Sequence, residues 1–250
     1  MKTVFFASAA VAALIAAPAM AQTVGSASVS YTHSDTDVAT VQGLDTDAFA
    51  LNGAVATPIF GDWTVTAEAN VANTESDLAA SETTLSGSAA LTKVIGSYRV
   101  GGFYAANEMP GATLNTFGAV AQKYFDRATV SGVASYGSVY DADIYTVKAD
   151  AAFYATSDLR LNAGVSFQNV DFGGADFDTV AGTVGAEYQF ANSPYSVFGA
   201  YTYTDSDDLA VEDNAFKIGV RYSFGGGLQA RDRAGARMDL SNNVFVPFFN

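Results

Sequence analysis

Apolar and polar residues alternate along most of this chain, in segments of about ten residues separated by turn residues. The pattern is clearest where Trp63, Val65 and Ala67 alternate with two threonines and a glutamate. A period of two places alternate side chains on opposite faces of a β-strand. We count twelve such segments between Ser26 and Phe224, and none is the long apolar run of a membrane helix. The pattern predicts an all-β fold, a transmembrane antiparallel up-and-down β-barrel of about 12 strands.

The fifth to seventh segments alternate least clearly, so the strand count carries an uncertainty of about two. In the sixth segment, Leu114, Thr116, Gly118 and Val120 share one parity. We assign this parity to the lipid-facing side because it holds the aliphatic residues.

The predicted connections alternate in length along the chain, which is typical of outer-membrane barrels with both termini in the periplasm. The short connections are residues 57–62, 93–97, 123–127, 156–158 and 191–194. The longer connections are residues 34–46, 73–83, 107–112, 137–143, 171–177 and 204–214.

Charged and aromatic residues follow the same division. Most acidic residues lie in or beside the longer connections, and none of the 12 Lys and Arg residues does. The formal net charge of −14 excludes a basic surface for the nucleic-acid backbone. Aromatic residues near the short connections predict a girdle at the membrane interface. They are Phe60, Trp63, Tyr98, Tyr124, Phe125, Tyr154, Phe190 and Tyr195.

A soluble β-sandwich or closed barrel is the alternative architecture, since these folds also alternate. Their apolar face is a packed core of large side chains. Here the other face is polar on nearly every segment, and charge separates the two sets of connections. Both features favour the membrane barrel.

The two ends of the chain lie outside the predicted barrel, which covers residues 22–224. Residues 1–21 combine Lys2, an apolar stretch and Ala19-Met20-Ala21, the pattern of a cleaved secretory signal peptide. Residues 225–250 form a C-terminal tail, which we expect to be periplasmic. A segment folded into the lumen and a contact with peptidoglycan or a partner are the alternatives. The expected location is therefore the cell outer membrane of a Gram-negative organism.

Eight charged residues have the parity opposite to the apolar face and are predicted to line the lumen. Small Ser, Thr, Ala and Gly side chains around them leave room for water, and the excess of basic groups would favour anions. Alternatively, the charges pair across the lumen and close it. The eight residues are Glu68, Arg99, Lys148, Asp150, Arg160, Glu187, Lys217 and Arg221.

The last predicted strand, residues 217–224, resembles the β-signal of barrel proteins, with Gly219, Tyr222 and Phe224 at the glycine and aromatic positions. This resemblance implies recognition by the barrel assembly machinery. The chain departs from the usual bacterial form, because 26 residues follow Phe224. With its signal peptide and its Ala/Gly/Ser-rich strands, the chain resembles the small porin-like proteins of α-proteobacteria. That resemblance implies a trimeric or monomeric diffusion channel.

The sequence gives little indication of metal binding or catalysis. The acidic residues 205–213 lack the spacing of an EF-hand, so we predict no metal site and no cofactor. His33 is the only histidine, and no serine in a G-x-S-x-G context accompanies it. We therefore expect no enzymatic activity.

The sequence thus predicts a porin-like channel for passive diffusion of small hydrophilic solutes or ions. A non-conducting structural or surface-presenting barrel with acidic extracellular loops is the alternative. Expected partners are outer-membrane lipid and lipopolysaccharide, the assembly machinery and small solutes, with homo-oligomers possible and nucleic acid excluded.

Overall fold

The structure is a computed structural model and describes residues 23–39, 41–77, 79–109 and 111–240. The predicted signal peptide and the last ten residues lie outside these ranges. The described chain forms twelve strands and one short helix. They are β1 Val24–Val38, β2 Val41–Phe60, β3 Trp63–Ser76, β4 Ala79–Ile95, β5 Tyr98–Met109, β6 Ala112–Tyr124, β7 Ala128–Val139, β8 Ala142–Tyr154, β9 Leu159–Phe172, β10 Ala175–Gln189, β11 Tyr195–Ser206, β12 Val211–Phe224 and α1 Leu228–Arg233.

Each strand pairs antiparallel with its neighbours in sequence, and β1 pairs with β12 to close the barrel. Val29 of β1, for example, lies opposite Leu51 on one side and Val220 on the other. Closure satisfies the backbone hydrogen bonds of both end strands, as a lipid environment requires. The predicted fold class and strand number are confirmed. No helix among the described residues is long and apolar enough to cross a membrane.

Burial is inverted relative to a water-soluble barrel. Outward-facing apolar side chains are exposed, with Val29 58% and Ile218 63% accessible. Inward-facing polar side chains are buried, with Thr66 1% and Ser196 0% accessible. An apolar exterior of this extent is stable in lipid and not in water.

A second aromatic girdle lies toward the end of the barrel opposite the termini. Four outward-facing tyrosines pack against an aromatic residue directly across the strand pair, with ring centroids 4.8 to 5.3 Å apart. Each hydroxyl donates a 2.6 Å hydrogen bond to an Asp or Asn oxygen on the neighbouring strand. The four are Tyr31, Tyr104, Tyr136 and Tyr201. This ring marks the outer boundary of the apolar belt, where aromatic side chains give way to water-facing acids and amides.

The longer connections are not loops but continuations of the strands, which corrects the sequence prediction. β1 extends to Val38 and β2 begins at Val41, although residues 34–46 were expected to connect them. Antiparallel pairing continues past the outer girdle because it satisfies the backbone groups there, while the acidic side chains face water. We call this end of the barrel the outer end, and the end with both termini the inner end.

The side assigned to the sixth segment is wrong. Leu114, Thr116 and Val120 of β6 face inward and are buried, whereas Phe117 faces outward and is 60% accessible. The aliphatic residues are inside because they pack against other inward apolar groups. Val120 contributes to a cluster with Leu240 of the tail.

The described part of the tail lies inside the barrel, so the expectation of a periplasmic extension is corrected for residues 228–240. Gly225 and Gly226 have φ angles of 83° and 143°, which turn the chain back after β12. Side chains with a Cβ rarely adopt such angles. α1 then enters the inner end, and its Leu228 is fully buried against Ala152 and Tyr154.

Candidate functional site in the barrel interior

All eight charged residues selected from the sequence lie at inward-facing strand positions. Glu68, Arg99 and Glu187 are buried against the tail, whereas Lys217 is open to the lumen. The other four, Lys148, Asp150, Arg160 and Arg221, are partly buried. Gly219 also faces inward, while Tyr222 and Phe224 of the predicted assembly signal lie on the outward parity.

Glu187 of β10 is the centre of a charge cluster that joins the tail to the wall. Its carboxylate accepts hydrogen bonds from Arg221 at 2.7 Å, from Ser196 at 2.7 Å and from Arg237 of the tail. Arg231 of α1 lies 3.9 Å away. Glu187 is only 1% accessible, so these guanidinium groups replace its lost hydration.

The contact with Glu187 also keeps Arg237 protonated. Burial works against the charged guanidinium, but the adjacent carboxylate of Glu187 outweighs it and raises the pKa of Arg237 above its ordinary value. The ion pair therefore persists across the whole physiological pH range. Removing Glu187 would leave the buried charges of Arg221 and Arg237 without their carboxylate.

Arg99 of β5 forms a second contact between wall and tail. Its guanidinium donates to Thr92 Oγ1, to the Tyr124 hydroxyl and to the backbone carbonyl of Arg233, each at 2.8 Å. Arg99 is 2% accessible and has no free face toward the lumen. Its role is to anchor the tail, not to line an open path.

Three further hydrogen bonds follow the tail into the barrel. Tyr154 donates to Asp232 at 2.5 Å, and Thr66 donates to the carbonyl of Gly235 at 2.9 Å. Deeper inside, the backbone N–H of Leu240 donates to Glu68 at 2.7 Å. Tyr154 and Tyr124 therefore belong to the interior, not to the aromatic girdle predicted from the sequence.

An apolar pocket holds the end of the described tail. Met238 and Leu240 are 7% and 1% accessible. They pack with five inward-facing residues of β4 to β7, namely Ala90, Phe103, Ala105, Val120 and Val133. The apolar side chains on the inner face of this part of the wall thus pack against the tail.

A cavity remains beside the tail, on the side formed by β1, β2, β3 and β12. Its wall carries Ser26, Ser28 and Asn52, with Arg221 at one edge. The tail contributes Arg237 and Asp239. Hydroxyl, amide and charged groups therefore surround this cavity.

Three further inward-facing cations have few partners among the described residues. Arg160 lies 3.7 Å from Asp150. For Lys148 and Lys217, no hydrogen bond or ion pair is found within the described residues. Asp239 of the tail lies within electrostatic range of both lysines.

The outer rim provides no comparable site. His33 lies 3.0 Å from Asp47, beyond the outer girdle, and this hydrogen bond raises the pKa of His33 above its ordinary value. No group of His, Asp and Glu in the described ranges could hold a metal ion.

Sequence reasoning missed the tail residues that complete the interior site. Arg231 and Arg237 approach Glu187, and Arg233 donates to the carbonyl of Asp126 at 3.0 Å, but a flexible basic extension would have the same composition. The mixture of Met238 and Leu240 with these arginines was the only available signal that the segment has both polar and apolar partners.

No protein-family model matches this chain, and no curated protein matches it in sequence. Solved structures match in fold. An outer-membrane channel from Pseudomonas putida F1 has a TM-score of 0.65 and 12% identity, covering 80% of this chain and 95% of that chain. The translocator domain of the autotransporter NalP from Neisseria meningitidis has a TM-score of 0.57 and 13% identity, with coverages of 89% and 95%.

The KdgM porin matches with a TM-score of 0.51 and 10% identity, covering 79% of this chain and 99% of that chain. Identities this low establish the shared architecture and not a shared substrate. The chain therefore has the fold of outer-membrane β-barrel proteins, a group that includes channels, porins and a translocator domain.

Proposed function

We propose that this chain is an outer-membrane channel through which small hydrophilic solutes or ions diffuse passively. The observation that carries the proposal is a closed barrel with an apolar exterior and a polar interior that keeps a cavity beside the tail. Apart from the pocket that holds the end of the tail, the inner face is rich in hydroxyl and amide side chains. Such groups interact with water and polar solutes without strong preference, which favours diffusion over tight binding.

Two of the structurally similar proteins are a channel and a porin by name. They support the proposal only through the shared architecture. Twelve strands enclose a lumen between the filled eight-stranded barrels and the wide porins of about 16 strands. The tail narrows this lumen further at the inner end, so we expect a small unit conductance.

The test is single-channel recording from the refolded mature chain, residues 22–250, in a planar bilayer under a salt gradient. Steady conductance steps with a defined reversal potential are the expected result. Silence from protein whose barrel is folded, judged by its heat-dependent electrophoretic mobility, would contradict the channel function.

A second candidate is a non-conducting barrel that presents its acidic outer hairpins. The filling of the inner end by the tail favours it, since the tail contacts β3, β5, β8 and β10 through hydrogen bonds. The same recording separates the two candidates. Silence from the full chain, with conduction only after truncation at Phe224, would favour the second.

Residues 217–224 are proposed to serve as the assembly signal of the barrel. A side chain at Gly219 would collide with the ring of Phe198 and lie 2.6 Å from the carbonyl oxygen of Val29, so the close approach requires glycine there. The expected test is the rate of membrane insertion by purified assembly machinery. Tyr222→Ala should slow insertion, whereas the outward-facing control Tyr145→Ala should not.

A further inference from the structure

Among the described residues, the inward-facing arginines have the nearby carboxylates as partners and two inward-facing lysines do not. Glu187 is engaged by Arg221 and Arg237, and Asp150 lies nearest Arg160. Glu68 accepts hydrogen bonds from Ser88 and from the Leu240 backbone. These contacts leave Lys148 and Lys217 without a carboxylate within ion-pair distance among the described residues.

Both lysines lie at inward-facing strand positions. Lys148 on β8 and Lys217 on β12 are close enough for their charges to repel each other. Their paired positions on neighbouring strands are Val133 and Ser166 for Lys148, and Thr32 and Ala200 for Lys217. These neighbours are short, so room remains around both ammonium groups.

Spare guanidinium donors lie in the same region. Arg160 Nε, Arg221 Nε and Arg237 Nη1 are buried and have no hydrogen-bond partner within the described residues. Two of these three arginines line the cavity beside the tail. Buried donors of this kind are normally satisfied by water or by a ligand.

The tail places one carboxylate, that of Asp239, beside these cations. Asp239 has a φ of 48° and lies between Met238 and Leu240, whose side chains are held in the apolar pocket. Aspartate tolerates this left-handed backbone conformation better than most residues. It accompanies a change in surroundings along the tail, because Met238 and Leu240 lie in the apolar pocket and Asp239 lines the cavity. Asp239 lines the cavity and is exposed, without a cation in contact.

We propose that Lys148 and Lys217, with the spare donors of Arg221 and Arg237, form a binding site for small organic carboxylates, in which the tethered carboxylate of Asp239 competes. The assignment rests on the proposed function, since it names the solute class that the channel would favour. Charge-assisted contacts to two ammonium groups and to single N–H donors of Arg221 and Arg237 would hold such an anion. An anion also relieves the repulsion between the lysines.

The test is isothermal titration calorimetry of the full mature chain in detergent micelles, with succinate as the probe at constant ionic strength. Succinate should bind the wild-type chain, and the neutral analogue succinamide should not. Lys148→Gln/Lys217→Gln should weaken succinate binding about tenfold or more, because two charged contacts are lost. Asp239→Asn should strengthen it severalfold by removing the competing carboxylate.

The matched control is Lys93→Gln/Lys123→Gln, which removes the same charge from lysines that lie over the rings of Trp63 and Tyr98. Its affinity should equal that of the wild type. Absence of succinate binding to the wild type, or equal loss in both double variants, would overturn the proposal. Because binding is measured without current, a non-conducting barrel that binds succinate would contradict only the channel function.

Discussion

The inner and outer ends of the barrel interior differ in what fills them. At the inner end, a buried carboxylate and three arginines hold the tail against the wall, and an apolar pocket near the level of the tyrosine girdle holds the end of the described tail. At the outer end, paired hairpins rise beyond that girdle, and hydrogen bonds among the described residues, such as that from Thr36 to Asp213 at 2.7 Å, join neighbouring strands.

The inner part of the wall thus makes specific contacts with a segment of the same chain, whereas the described contacts at the outer end join one part of the wall to another. A buried charge cluster is costly to assemble and is stable only when every member is present. The inner end should therefore be sensitive to single substitutions, and the outer end tolerant.

Deletion of the tail should have the largest effect. A chain truncated after Phe224 should conduct severalfold more than the full chain, because the inner half of the lumen is emptied. Single-channel recording of both proteins measures the change. Equal conductances would mean that the tail does not restrict the path.

Glu187→Ala should produce the next largest effect. It leaves Arg221, Arg231 and Arg237 without their carboxylate, at a cost of about 3 kcal/mol in the free energy of unfolding. Urea unfolding in lipid vesicles measures the loss. Glu212→Ala removes an exposed carboxylate at the outer end and is the control. A similar loss in both variants would remove the distinction between the ends.

Leu240→Ala should have an intermediate effect. Truncating this buried side chain costs about 2 to 3 kcal/mol and should release the end of the tail. Limited proteolysis of the intact barrel should then cleave the tail faster. Leu161→Ala, on the outward face at 42% accessibility, should leave the cleavage rate unchanged. Cleavage at the wild-type rate in Leu240→Ala would show that the pocket does not retain the tail.

Thr36→Val should have the smallest effect. It removes one hydrogen bond at the outer end, worth about 1 kcal/mol, and should not change the conductance. Urea unfolding and single-channel recording report the two quantities. A change in conductance comparable to that of tail deletion would place the restriction at the outer end instead.

The sequence predicted the parts of the fold that depend on local pattern. Alternation such as that of Trp63, Val65 and Ala67 sets the face of each side chain, so strand number and closure followed. Alternation failed in β6, because Leu114 and Val120 are inward residues with apolar partners that the segment itself does not reveal. The predicted length of the outer connections was also wrong, because acidic residues in water are compatible with either a strand or a loop.

The interior site was predictable only in part. Parity placed Glu187 and Arg221 on the inward face, because this depends on the strand alone. Their pairing with Arg237 depends on a tail that turns back through Gly225 and Gly226, and a glycine run does not specify the direction of the chain after it. The anchoring role of Arg99 was hidden for the same reason.

The central claim is that the tail lies inside the barrel, and disulfide cross-linking tests it most directly. The chain has no cysteine, so Ala56→Cys and Ala236→Cys would introduce the only pair, at two buried residues that pack together. Oxidation of the folded barrel should cross-link them as readily as Val24→Cys with Ala56→Cys, a directly paired position in the wall. Cross-linking of the wall pair but not of the tail pair would contradict the account.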